Sequence, residues 1–140
     1  GVIFFRGDGQ YRSKIGLRPE RAKDIMGSYD AATRTVTIVK YSKGAPGDEY
    51  VNSKWELQRQ PYRGDVVNAY NDGPPSPGAT PMGPFYELES SSPARELAPG
   101  ESLQHTQTTF HFQGEEKALD SLTTKVLGVA IGDIKSAFVK

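Results

Sequence analysis

Cysteine is absent from this 140-residue chain, and with it go disulfides, thiolate chemistry and every metal site built on sulfur. The absence leaves the compartment open, because a chain without thiols suits either redox environment. Net charge is missing too: 17 lysines and arginines offset 17 aspartates and glutamates. No basic field therefore exists to draw in nucleic acid or an anionic membrane surface. No apolar run approaches the roughly 20 residues of a membrane-spanning helix. There is no Gly-rich phosphate loop, nucleophile elbow or internal repeat, and nothing implies a cofactor. Hydrophobic residues are scarce at 36%, while 15 glycines and 10 prolines punctuate the chain. Few apolar residues with frequent turns describe short strands rather than long helices. The expected fold is mostly β, an antiparallel β-sandwich with a C-terminal helix, in a single domain over residues 1–140.

Local patterning fills in the elements. Val2 to Arg6 is a short apolar run closed by Gly7-Asp8-Gly9, a turn signal that predicts a hairpin with a second strand, Tyr11 to Leu17. Arg18 to Lys23 has proline where a helical turn begins. Asp24 to Tyr29 reads as extended, and residues 30–34 as a turn. Thr35 to Tyr41, TVTIVKY, is a strand with both faces covered and hence central in its sheet. Tyr50 to Gln58 and Asp65 to Asp72 read as further strands. Gly73 to Pro84 is a twelve-residue surface loop with five prolines. Two late strands, Phe85 to Ser91 and Ser102 to Phe112, flank a turn at Pro99-Gly100. Glu115 to Leu127 carries an apolar stripe at helical spacing through Leu119, Leu122 and Val126, and Asp133 to Phe138 makes a second short helical segment.

Chemistry-bearing residues gather on particular strand faces. Alternation puts Glu87 and Glu89 on one face with Phe85, their carboxylates roughly 7 Å apart along the strand. A plain solvent-facing strand carries glutamates the same way. Arg12 and Lys14 share a face that could meet carboxylates or sugar hydroxyls, or be simply solvated. Asn68, Tyr70 and Asp72 give the strand at 65–72 a polar face with one aromatic, the composition of a groove that binds hydroxyls. Asn71-Asp72-Gly73 is equally ordinary turn chemistry. Trp55, the sole tryptophan, offers either a stacking platform for a sugar or a core anchor. His105 and His111 lie roughly 20 Å apart along an extended strand, too far to share a metal ion.

The strings LESSSP at Leu88 to Pro93, LAPGES at Leu97 to Ser102 and the strand end FHF resemble the C-terminal part of galactose mutarotase-like domains. YRSKIG, GSYD, YVNSKW and GDVVNAYNDGP, in turn, resemble an uncharacterised family of secreted proteins with that supersandwich fold. Together the likeness spans nearly all of the chain. It implies that Glu89 is the catalytic glutamate, with Glu87 in that place if the alignment shifts by two residues. It implies that Lys14 faces the ligand and that carbohydrate is the partner; with the strand faces above, Arg12, Lys14, Trp55, Asn68, Tyr70, Asn71, Asp72 and Glu87 are the candidate binding residues, either of a mutarotase- or epimerase-like enzyme or of a non-catalytic carbohydrate-binding or structural β-sandwich module. It further implies an N-terminal lobe that carries the catalytic histidines, and a secreted or periplasmic location. The chain opens without Met directly before a strand-like run, as expected of the C-terminal lobe of a longer protein.

Overall fold

The computed structural model describes residues 1–139. Among them six strands precede two helices: β1 Ser13–Leu17, β2 Ile25–Asp30, β3 Thr35–Tyr41, β4 Val67–Asn71, β5 Tyr86–Ser90, β6 Gln107–Gln113, α1 Glu116–Val126 and α2 Ile131–Ser136. The mostly β composition with helices at the C-terminus is the class expected. The chain divides into two compact units, one formed by Gly1–Arg6, Ile25–Lys40 and Thr108–Lys140, the other by Gly7–Asp24 and Tyr41–Gln107.

The first unit is built on an antiparallel sheet of order β2-β3-β6. Strand β3 is central, as its two covered faces require, and pairs with β2 so that Gly27 faces Ile38 and Tyr29 faces Val36. Alternation then sends Val36 and Ile38 to one side, where they join Leu119 of α1 and Ile131 of α2 in a buried cluster, with Ile25, Tyr29 and Leu122 packed against it. Each of these aliphatic side chains contributes about 1.5–3 kcal/mol by leaving water. The α1 stripe supplies Leu119 and Leu122, and the Asp120 carboxylate accepts the Ile131 N–H at 2.7 Å, fixing where α2 starts. The β2–β3 turn is tied by Asp30, which accepts from the Ala32 N–H at 2.9 Å and the Thr33 hydroxyl at 2.6 Å. Those two bonds hold the Asp30 carboxyl below its usual range.

The second unit carries an antiparallel sheet of order β1-β4-β5. Its register places Lys14 beside Tyr70 and Gly16 beside Asn68, then Tyr70 beside Glu87 and Asn68 beside Glu89. Residues 18–22 form a single helical turn, with the Ala22 N–H donating to the Arg18 carbonyl at 3.0 Å. The Lys43 ammonium closes that turn on the Pro19 and Ala22 carbonyls, both at 2.7 Å.

Three expectations are corrected. Residues 2–6 form no strand, and β1 pairs with β4 rather than with them. Gly7-Asp8-Gly9 serves close approach instead of a hairpin: Gly9 has a positive φ of 69°, and a side chain there would fall 2.6 Å from the Pro84 Cα. Tyr50 to Gln58 is not a strand, because its sole ladder contact is an isolated bridge from Tyr50 to Arg63. The last strand begins at Gln107, five residues later than the polar-aromatic pattern indicated.

Candidate functional site

The pleat of the β1-β4-β5 sheet lines up one row of polar side chains. Lys14 from β1, Asn68 and Tyr70 from β4, and Glu87 and Glu89 from β5 share a face by register, as side chains at alternate positions must. The Lys14 ammonium meets a Glu89 oxygen at 2.9 Å, with the two side chains 21% and 32% exposed. Glu87 is held above the usual carboxylate range, first by its hydrogen bond with Glu89, then by desolvation and the charge of Glu89, against the opposing pull of Lys14. The neighbouring carboxyl thus favours the protonated form of Glu87, while Lys14 faces Glu89.

Gly16 has a structural reason at this point. A Cβ on it would lie 2.2 Å from Asp65 Oδ2 and 2.7 Å from Asn68 Oδ1, so the missing side chain lets a carboxylate and an amide fold in over β1. Burial raises the Asp65 carboxyl above its usual range against the pull of Arg18, Lys14 and Lys54. Asp65 was not among the residues singled out from sequence. Its only sequence signal is its place two positions before β4.

At the other end of the row, the Tyr70 hydroxyl donates to Asp72 at 2.6 Å, and the Gly83 N–H donates to the second Asp72 oxygen at 2.8 Å. The Tyr70 bond does most to lower the Asp72 carboxyl, aided by the N–H groups of Gly83, Gly73 and Met82 and opposed by desolvation. The same bond raises the Tyr70 phenol. Asp72 therefore anchors the proline-rich loop, and its oxygens are already engaged.

Trp55 is 62% exposed, which sets aside the core-anchor alternative. Its ring meets the edge of Tyr70 with centroids 5.9 Å apart, and the Arg12 guanidinium lies 4.5 Å from its centroid. Tyr70 also touches Phe85, at 6.0 Å. The row thus ends in an aromatic rim that brings Arg12 and Trp55 into the same neighbourhood.

Of the expected binding residues, Asn71 does not join the set. It projects from the opposite face of β4, where its oxygen accepts the Gly9 N–H at 2.8 Å and its nitrogen donates to the Tyr11 carbonyl at 2.9 Å. Strand alternation forces this, since Asn71 lies between Tyr70 and Asp72. The histidines stand apart from the row as well. His105 sits between two hydroxyls, Ser90 at 2.9 Å and Ser42 at 3.2 Å, and His111 pairs with Thr37 at 3.0 Å. Among the described residues no group of three or more His, Asp or Glu side chains is disposed to hold a metal ion, and no helix is long and apolar enough to cross a membrane. A hollow of about 420 Å³ in the first unit, lined by Val2, Phe4 and Val129 among others, contains none of the polar row.

Fold and face together define a mostly β protein that displays an acid-rich, aromatic-rimmed sheet surface. A family model described as a family of unknown function, DUF6786, matches residues 1–138, and the chain belongs to that family. Neither curated proteins nor solved structures give a match.

Proposed function

We propose that the β1-β4-β5 face binds carbohydrate and that its glutamate pair moves protons at a sugar hemiacetal, as in aldose mutarotation. One observation carries this reading: Glu87 and Glu89 share a face with Lys14, Asn68 and Tyr70, with Lys14 paired to Glu89 and Glu87 raised by its hydrogen bond with Glu89. Pairs of titratable groups driven apart by their surroundings are how an acid and a base coexist at one pH. The likeness to mutarotase-like domains at LESSSP, which falls on Glu89, supports it independently.

The chemistry balances on the two carboxyls. Glu89 removes the proton from the anomeric hydroxyl, the electrons left on that oxygen form the carbonyl, the bond from the anomeric carbon to the ring oxygen breaks, and Glu87 protonates the ring oxygen. Both oxygens sit on one carbon, so neighbouring carboxyls on a single strand face can serve them together. Rotation of the opened aldehyde and the reverse transfers give the other anomer. Asn68 and Lys14 offer hydrogen bonds to ring hydroxyls, and Trp55 offers an apolar ring for the sugar's C–H face. The same placement disfavours glycoside cleavage, where the carboxyls must flank the bond from opposite sides.

Because Trp55 is the sole tryptophan, its emission reports directly on the rim. A panel of monosaccharides and oligosaccharides titrated against the chain is expected to change that emission, and magnetisation exchange between anomers is expected to accelerate. Glu89→Gln should keep the emission change and lose the exchange. Binding without exchange in the unaltered chain would make the face a non-catalytic carbohydrate module. A panel in which no sugar alters Trp55 emission overturns the proposal.

A further inference from the structure

The register of the β1-β4-β5 sheet continues one step beyond its paired strands. The Asp72 N–H donates to the Phe85 carbonyl at 3.0 Å, and a Cβ on Gly73 would lie 2.4 Å from the Arg12 nitrogen, so the alignment carries on past Ser13 and Asn71. The face that holds the glutamates is therefore three cross-strand rows. Gly16, Asn68 and Glu89 make the first, Lys14, Tyr70 and Glu87 the second, and Arg12, Asp72 and Phe85 the third. Successive rows lie roughly 7 Å apart. Arg12 stands beyond Glu87, at the end away from Glu89.

Charge is answered in the first two rows and left over in the third. Lys14 pairs with Glu89 at 2.9 Å, and Arg18 and Lys54 lie near enough to Asp65 for their charge to pull on it. Asp72, the acid in the row of Arg12, already accepts from the Tyr70 hydroxyl and the Gly83 N–H. Among the described residues Arg12 enters no ion pair. It is held on carbon instead, with its guanidinium 4.5 Å from the Trp55 ring centroid. The Asp72 bond raises the Tyr70 phenol and the guanidinium draws it back, so the Arg12 head lies beside the second row. Stacking on an indole fixes the plane of a guanidinium and leaves N–H groups along its edge, the fork that takes a planar carboxylate through two parallel hydrogen bonds.

The order of the rows matches the order of atoms in a pyranose. In the proposed reaction Glu89 serves the anomeric hydroxyl and Glu87 the ring oxygen. That oxygen joins C1 to C5, so the substituent on C5 projects past Glu87 towards the row of Arg12 and Trp55. A neutral hexose puts a hydroxymethyl group there and leaves the guanidinium without a counter-charge. A uronic acid puts a carboxylate there. Building on the carbohydrate reading of this face, we infer that its substrates are uronic acids, and that Arg12 selects them by binding the carboxylate on C5. One guanidinium matches one planar, singly charged group; a phosphate ester is tetrahedral and carries close to two charges.

Titration of Trp55 emission with glucuronate and galacturonate, each beside glucose, galactose and the corresponding hexose 6-phosphate at one ionic strength, tests the assignment. The uronates are expected to bind about tenfold more tightly than their neutral parents, and added salt should narrow that ratio. Arg12→Gln is expected to bring the ratio close to one, and Arg12→Lys, which keeps the charge and loses the fork, to an intermediate value, both with unchanged far-ultraviolet dichroism because the side chain is exposed. Neutral sugars that bind as tightly as uronates, a preference that survives Arg12→Gln, or a hexose 6-phosphate that binds more tightly than its uronate each overturn the inference while the carbohydrate reading stands. A chain whose emission answers to no sugar of any class overturns both.

Discussion

The two sheets have the same size and the same antiparallel pairing, yet they spend one face in opposite ways. On β3 the alternate positions are Val36 and Ile38, and α1 and α2 close over them. On β4 the alternate positions are Asn68 and Tyr70, and the strands beside them add Lys14, Glu87 and Glu89 instead of aliphatic carbon. Burying polar groups is tolerable only when each is partnered, and among the described residues no buried side-chain polar atom lacks a hydrogen bond. A face assembled at that cost contributes little to stability, which is the reason to look for function there and for folding energy in the other unit.

Substitution should separate the two faces sharply. Ile38→Ala is expected to destabilise the chain by about 2–5 kcal/mol, read from urea unfolding, whereas Glu89→Gln is expected to cost less than about 1 kcal/mol, because its ion pair is partly solvated. Equal costs would erase the contrast. Next in size is Gly16→Ala, whose methyl must displace the Asp65 and Asn68 side chains. It should weaken the sugar-dependent Trp55 response about tenfold, or about 1.4 kcal/mol, while the unfolding midpoint moves little. A large loss of stability with intact binding would show that the polar row is packing.

A smaller effect concerns pH. The Glu87 carboxyl is raised above its ordinary 4.5, so the folded chain holds this proton more tightly than the unfolded one does. The stability it contributes is present below 4.5 and is lost as pH rises through the raised value. Glu87→Gln keeps an N–H donor towards Glu89 at every pH. Its thermal midpoint relative to the parent chain should therefore climb from acid to neutral pH, and a flat difference would mean that Glu89 does not raise Glu87. The smallest effect is expected from Arg34→Ala. Its ion pair with Glu115 has side chains 55% and 82% exposed, so stability should stay within about 0.5 kcal/mol.

Much of this was legible in alternation alone. TVTIVKY announced a central strand because both of its faces were coverable, and the α1 stripe announced its own buried side. The shared face of Glu87 and Glu89 followed from period two, as did the face of Asn68, Tyr70 and Asp72. What alternation could not supply was which strands adjoin. Val2 to Arg6 had strand composition without a partner edge, and only the pairing of β1 with β4 revealed that Lys14 reaches Glu89 across a sequence separation of 75. Asp65 escaped notice because its role depends on the absence of a side chain at Gly16, a relation between two elements that neither sequence segment records. Trp55 was weighed as a buried anchor by the habit of its residue type, whereas the irregular segment that carries it leaves the ring at the rim.

Asp72 has a consequence of another kind. The N–H groups of Gly73 and Gly83 converge on this one carboxylate, so the mouth of the intervening proline-rich excursion is pinned whatever happens at its tip. Closure entropy grows only slowly with length. Residues 76–79 are consequently a place where foreign sequence, such as an epitope tag or a fluorescent peptide, can be grafted while the strands on either side keep their alignment.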